Sequence, residues 1–316
     1  MDIKIWGCRG SQTTPLTNAE IESKIKKVLE RASSADIASE EAIDGFLKSL
    51  PFSMKHTYGG NTTCITVSAG GRRLIIDCGS GFANLGKTLM AGDFSKGRGA
   101  VDILMTHTHL DHIKGIPFFE PLYIKGNRFT FYSPVKDLHD RLASQQKSAF
   151  FPIPLDSMAS EKVFKHVNCD EDFFIDDFKI SSKEMPHPGG SYGYRIEYNG
   201  KAFVYTGDCE FNMAELEKIG DYRKFFSNAE LLIFDTQYTF DESIKKVNWG
   251  HSTAFMALDI AAMFGVKHVI LFHHNPAYND AKLDEILGDA ISYQKTHVKL
   301  QNTVVELAYD GLEISI

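Results

Sequence analysis

No stretch of this chain approaches the roughly 18 consecutive apolar residues that a membrane-crossing helix needs. The opening Met1-Asp2-Ile3-Lys4-Ile5-Trp6-Gly7 lacks the apolar core of a secretory leader. The expectation is a cytoplasmic protein with no membrane partner. Cysteine is scarce too. Five residues (Cys8, Cys64, Cys78, Cys169 and Cys209) are odd in number, and no two have Cys-x-x-Cys spacing, so they read as reduced thiols. An excess of positive charge is absent: 34 Lys and Arg face 41 Asp and Glu, a net charge of -7. That argues against a general electrostatic grip on nucleic acid or an anionic surface. It leaves anionic substrates open, because bound cations can dominate the charge of a local site. Repeats and low-complexity linkers are missing as well. What is present is ordinary globular material, 43% hydrophobic and 24% charged over 316 residues. We read 1–316 as one domain with a substantial core.

The chain opens as a strand ending at Gly7. Thr17-Asn18-Ala19-Glu20 has the spacing of a capping box, and Ile21, Ile25, Val28 and Leu29 follow at helical intervals. A second helix is expected from Ser39, with Glu40 and Glu41 in its first turn and a stop near Pro51. Residues 12–55 therefore read as a helical insertion in a β-rich frame. Strands are expected at 62–69 and 72–77 around Gly70-Gly71, and at 192–198 and 201–205 around Asn199-Gly200, both two-residue hairpin signals. Further strands are expected at 101–106, 128–132, 231–234 and 268–272, with helices at 253–264 and 280–296. A last strand pair, 304–308 and 312–316, is placed across Asp310-Gly311. The pattern implies a mixed α/β fold with two sheets between helices.

The chemistry concentrates in Thr106-His107-Thr108-His109-Leu110-Asp111-His112, directly after an apolar strand. Three imidazoles and a carboxylate so close cannot be buried cheaply as ordinary polar groups. Neutral histidines suit zinc. One short loop seldom completes two coordination spheres, and three other places offer donors. His187 lies in Met185-Pro186-His187-Pro188-Gly189-Gly190, Asp208 ends Thr206-Gly207-Asp208, and His273 and His274 end Ile270-Leu271-Phe272-His273-His274. Alone, Asp208 reads equally well as a turn or cap residue.

His107-x-His109-x-Asp111-His112 followed by His187, Asp208 and His273, with Asp77-x-Gly79-x-Gly81 upstream, resembles the signature of the metallo-β-lactamase superfamily. The resemblance covers residues 1–10 and 56–316 and implies a four-layer αββα sandwich. It also implies two divalent ions, zinc first, with manganese or iron(II) as other candidates. His107, His109 and His187 would bind one ion, Asp111, His112 and His273 the other, and Asp208 would bridge them. His273 is preferred to His274 because it matches the family position before a proline-containing turn.

Trp249-Gly250-His251-Ser252-Thr253, together with Trp6–Ser11 and Tyr58–Cys64, is similar to the phosphodiesterase branch that includes ribonuclease Z and cyclic nucleotide phosphodiesterases. The resemblance implies a binuclear hydrolase of small phosphodiesters such as cyclic nucleotides. A water shared by two ions, its pKa lowered from about 15.7 toward neutrality, would attack phosphorus. Asp111 would orient that water, and His251 would assist the phosphoryl or leaving oxygen. Otherwise Ser252 and Thr253 simply cap a helix and His251 has no chemistry. Only twenty residues separate His187 from Asp208, too few for the tRNA-gripping arm of ribonuclease Z, so a structured tRNA partner is disfavoured. Lactone, thioester or β-lactam hydrolysis on the same frame is the alternative reading, and a metal-binding module without turnover is a third. Phe118, Phe119, Pro121, Leu122 and Tyr123, and the loop holding Phe150, Phe151, Pro152, Ile153 and Pro154, read as core, a dimer contact or a base-stacking surface. The insertion could cap the site or carry a homodimer contact.

Overall fold

The computed structural model describes residues 1–316, the Met213 side chain excepted. Its strands are β1 (Asp2–Gly7), β2 (Cys64–Ala69), β3 (Arg72–Ile76), β4 (Ala100–Leu104), β5 (Arg128–Ser133), β6 (Glu161–His166) and β7 (Asp172–Ile175). They continue with β8 (Phe178–Met185), β9 (Ser191–Tyr198), β10 (Lys201–Tyr205), β11 (Leu231–Asp235), β12 (His268–Phe272), β13 (Val304–Leu307) and β14 (Glu313–Ser315). Two seven-stranded sheets result, ordered β14-β1-β2-β3-β4-β5-β6 and β13-β12-β11-β10-β9-β8-β7. Their inner faces meet in one apolar layer, with Ile3, Ile5, Ile65 and Leu104 from the first sheet against Ile196, Phe203, Ile233 and Phe272 from the second. The outer face of the second sheet is covered by the helices Ala254–Phe264 and Asp280–Lys295, and that of the first by Ser80–Leu89. This is the four-layer sandwich the residue pattern implies.

Topology places the chemistry. β3 to β6 run parallel, as do β10 to β13, while β8 reaches the direction of β10 through two antiparallel pairings. The carboxyl ends of β3, β4, β8, β10, β11 and β12 therefore gather at one rim. Ligand sites of open α/β sheets lie outside the carboxyl ends of strands for this reason.

Both expected hairpins form with the expected registers. The closing strand pair does not. β13 joins β12 in the second sheet and β14 joins β1 in the first, so Asp310-Gly311 carries the chain from one sheet to the other. The sheets need an edge strand each, and that demand overrides a local hairpin. Two helices absent from the sequence reading, Ser80–Leu89 and Leu138–Gln145, also form. The first carries Gly86 where an added Cβ would meet the Phe119 ring at 2.8 Å, so close packing decides against propensity.

The insertion forms the helices Asn18–Arg31 and Glu40–Ser49, the first opened by the Thr17/Glu20 capping box. Neither contains a buried residue. Ile25 and Leu29 are 56% and 67% exposed, and a groove of about 980 Å³ opens along Ile21, Ile25, Leu47 and Phe52. A polar latch ties the insertion down: Lys24 Nζ lies 2.6 Å from the buried Asp280 carboxylate, which Arg9 also approaches at 3.9 Å.

Candidate metal centre

Each loop leaving the rim delivers its side chain by a specific local device. After β4 the backbone runs extended through Thr106–His109 and turns into the short helix Leu110–Ile113. That geometry points His107 and His109 to one side and Asp111 and His112 to the other. At the end of β12, His273 adopts left-handed backbone (φ 63°) and so turns inward, and Asp77 does the same after β3 (φ 58°). Such conformations cost non-glycine residues energy and concentrate at functional sites.

The seven residues singled out as donors converge. His107, His109, His187 and Asp208 form one group, and Asp111, His112, Asp208 and His273 a second, each with its candidate ligand atoms within 4.8 Å of one another. Asp208 belongs to both, one oxygen apiece. Its Oδ2 lies 3.6 Å from His107 Nε2 and 4.0 Å from His187 Nε2, whereas its Oδ1 lies 3.1 Å from His112 Nε2 and 3.2 Å from His273 Nε2. Asp111 Oδ2 stands 3.1 Å from His273 Nε2. His274 points away, donating through Nε2 to the Ala308 carbonyl at 2.8 Å, and burial drives its pKa down to about 3.

The site passes a direct test of fit for cations. The Nε2 atoms of His107 and His112 and Oδ1 of Asp208 are buried with no hydrogen-bond partner. Orphaned nitrogens and carboxylate oxygens facing one space are expensive unless something positive satisfies them. Titration behaviour agrees. Burial, reinforced by neighbouring imidazoles, holds His107 neutral well below the usual histidine range, and burial lowers His109 and His187 as well. His112 goes the other way: burial opposes its charge, but Asp208, Asp111 and Asp77 together raise it well above that range. Metal ligands must be deprotonated, so a cation held by the second group would have to displace this proton.

A surrounding shell of hydrogen bonds sets tautomers. Asp77 Oδ2 accepts from His112 Nδ1 at 2.8 Å, and the same carboxylate accepts from the Thr106 amide and hydroxyl at 2.8 and 2.7 Å. The Thr106 oxygen then accepts from His107 Nδ1 at 3.0 Å. His187 Nδ1 donates to the Gly250 carbonyl at 2.8 Å, and the Ser11 amide donates to Asp111 Oδ2 at 2.7 Å. The outer Nδ1 partners of His107, His112 and His187 thus turn Nε2 of these three rings to the centre, where His187 Nε2 also lies 3.0 Å from His109 Nδ1. Gly10 must be glycine for this packing, since a Cβ there would lie 2.6 Å from His273 Nδ1.

His251 stands beside the second group, its ring stacked at 5.0 Å on His273. Its Nδ1 donates to Asp235 Oδ2 at 2.8 Å. Burial disfavours its charge, yet the Asp235 carboxylate prevails and raises its pKa to about 9. The capping falls to Thr253 alone, which accepts from the Met256 amide at 3.2 Å, while Ser252 accepts from the Phe211 amide at 2.9 Å on the segment after Asp208. Asp235 was not singled out from sequence; the available signal was a lone carboxylate ending an apolar strand at the same rim. Of the aromatic candidates, Phe119 is buried and stacks on Phe82 at 3.7 Å, as core, while Phe118 and Phe150 are 64% and 77% exposed.

A sandwich of two such sheets with this rim defines a metallo-β-lactamase-fold chain. It belongs to the beta-lactamase superfamily: the model described as "Beta-lactamase superfamily domain" matches residues 72–274. Curated relatives that this chain matches over most of their length carry the name ribonuclease Z. It is 41% identical to the ribonuclease Z of Picrophilus torridus over 96 residues, covering 29% of this chain and 27% of that relative. It is 23% identical to the ribonuclease Z of Archaeoglobus fulgidus over 311 residues, covering 81% and 92%. The fold is shared with the metallo-β-lactamase fold protein YhfI of Bacillus subtilis at a TM-score of 0.64 and 18% identity, over 99% of both chains. No helix among the described residues is long and apolar enough to cross a membrane.

Proposed function

We propose that this protein is a binuclear metal-dependent phosphodiesterase acting on a small diester such as a cyclic nucleotide. The observation that carries the reading is Asp208, whose two oxygens each face a separate group of histidine and carboxylate donors. His107, His109 and His187 would hold one ion, Asp111, His112 and His273 the other, with Asp208 between; zinc suits this nitrogen-rich set. Two divalent ions there supply Lewis acidity and a water made nucleophilic near neutral pH. The protein's own groups do the rest. Asp111, fixed by the Ser11 amide, orients the attacking water with its free oxygen. His251, kept protonated by Asp235, gives a proton to the leaving oxygen.

The hairpin β9–β10 fills the interval between His187 and Asp208, leaving no projecting arm there to grip a long RNA. A small diester therefore fits better, although the curated relatives carry the name ribonuclease Z. The test is a panel of 2′,3′-cyclic AMP, bis(p-nitrophenyl) phosphate, a thioester, a lactone and a tRNA precursor, offered to zinc- and manganese-loaded protein. Turnover of the first two above the others is expected. Preference for the tRNA precursor, or for the thioester or lactone, would overturn the assignment.

A further inference from the structure

Beside the metal centre lies a turn whose construction exceeds what linking two elements requires. Glu210, two residues beyond Asp208, clamps it. One carboxylate oxygen accepts from the Asn248 amide at 2.9 Å, and the other accepts from the Gly250 amide at 2.7 Å. The residue between them is Trp249. Its own amide donates to the Lys246 carbonyl at 3.2 Å, and both neighbours are left-handed, Asn248 at φ 67° and Gly250 at φ 93°. The Gly250 carbonyl in turn holds His187, and His251 follows directly. The backbone of Trp249 is thus held on both sides by Glu210 and tied on its Gly250 side to His187.

Its side chain is 63% exposed. The clamp fixes the backbone from which this indole projects. Contiguous exposed apolar patches mark contact surfaces, and Phe240, Ile244 and Val247 close by in the chain are exposed as well. A substrate held by its phosphate beside His251 carries its organic group away from the metals, and Trp249 is the aromatic residue nearest along the chain to His251 and to the carbonyl that orients His187. Indole faces stack on any planar base without needing particular hydrogen bonds.

We propose that Trp249 is the specificity-determining residue, a fixed platform on which a planar nucleobase-like group of the diester stacks. This rests on the phosphodiesterase reading above. The test compares AMP with ribose 5-phosphate, which share a sugar phosphate and differ in the base, by calorimetry on the zinc-loaded protein. Wild type should bind AMP about tenfold or more tighter than ribose 5-phosphate, as expected for stacking of one base. Trp249→Ala should erase that difference while leaving ribose 5-phosphate affinity and zinc content unchanged, and Trp249→Phe should restore most of it. Equal affinities in wild type, binding of neither ligand, or equal weakening of both in Trp249→Ala would overturn the proposal. If Trp249 belongs to a protein contact with its exposed neighbours Phe240, Ile244 and Val247, its replacement changes neither affinity, which also overturns it. Hydrolysis of bis(p-nitrophenyl) phosphate by the same preparations reads the chemistry separately. Its absence sinks the phosphodiesterase reading, whereas the pair of affinities judges Trp249.

Discussion

The rim and the insertion are opposites in how their polar and apolar groups are satisfied. At the rim, seven side chains from four chain segments meet, and an Asp77 carboxylate that accepts three hydrogen bonds holds His112 and the Thr106 that in turn holds His107. The insertion presents two helices without a buried residue and leans on the Lys24–Asp280 ion pair. The difference teaches where this fold places its rigidity. The edge that must hold like charges close together is over-determined, and the segment outside the shared frame is attached at few points.

The sharpest way to break the contrast is Asp208→Ala. Removing the carboxylate shared by both groups should drop activity to near background and strip at least one ion, read by metal analysis; a fully occupied two-metal site would refute the bridging role. Next comes His251→Ala, expected to lower kcat by about 10²–10⁴-fold with metal content unchanged. Metal loss in that variant would make His251 a ligand. The pH profile sharpens this assignment. His251 acts as an acid only while protonated, and Asp235 raises its pKa, so activity should fall as pH rises through that value. In Asp235→Asn the descending limb should move to lower pH; an unmoved limb would detach Asp235 from the reaction. Asp77→Asn touches no ion, yet it weakens the support of His112 and should cost roughly 10–100-fold in metal affinity. The smallest effect belongs to the insertion. Leu29→Ser, at a 67% exposed position, should change unfolding free energy by no more than about 0.5 kcal/mol, measured in urea. A loss of several kcal/mol there would mean that the helix is covered in solution.

Legibility in the sequence follows the same divide. His107 to His112 announce themselves because four donors fall within six residues, and no bland reading accommodates all of them. Distant donors became readable once that cluster demanded partners. Asp235 stayed hidden because a single carboxylate after Leu231–Phe234 is indistinguishable from a cap until His251 is seen against it. In the frame, strands with clean alternation or two-residue turns were visible. β8 was not, because its buried positions include Ser182 among Phe178, Ile180 and Met185, which blurs the period-two signal. The closing strands misled for a different reason. Asp310-Gly311 carries local hairpin chemistry, but which strand an edge accepts is settled by partners outside the pair, Val304 opposite His268 in one sheet and Ile314 opposite Ile3 in the other.

Asp77 has one more implication, for how the protein meets its metal. Because that carboxylate grips both the Thr106 backbone and the His112 ring, the rim owes its shape to the polypeptide, and loading becomes capture by a finished mould. Chelation should then lower the melting temperature by mass action alone, leave the far-ultraviolet dichroism unchanged, and reverse fully when ions return. A zinc finger, by contrast, collapses without its ion.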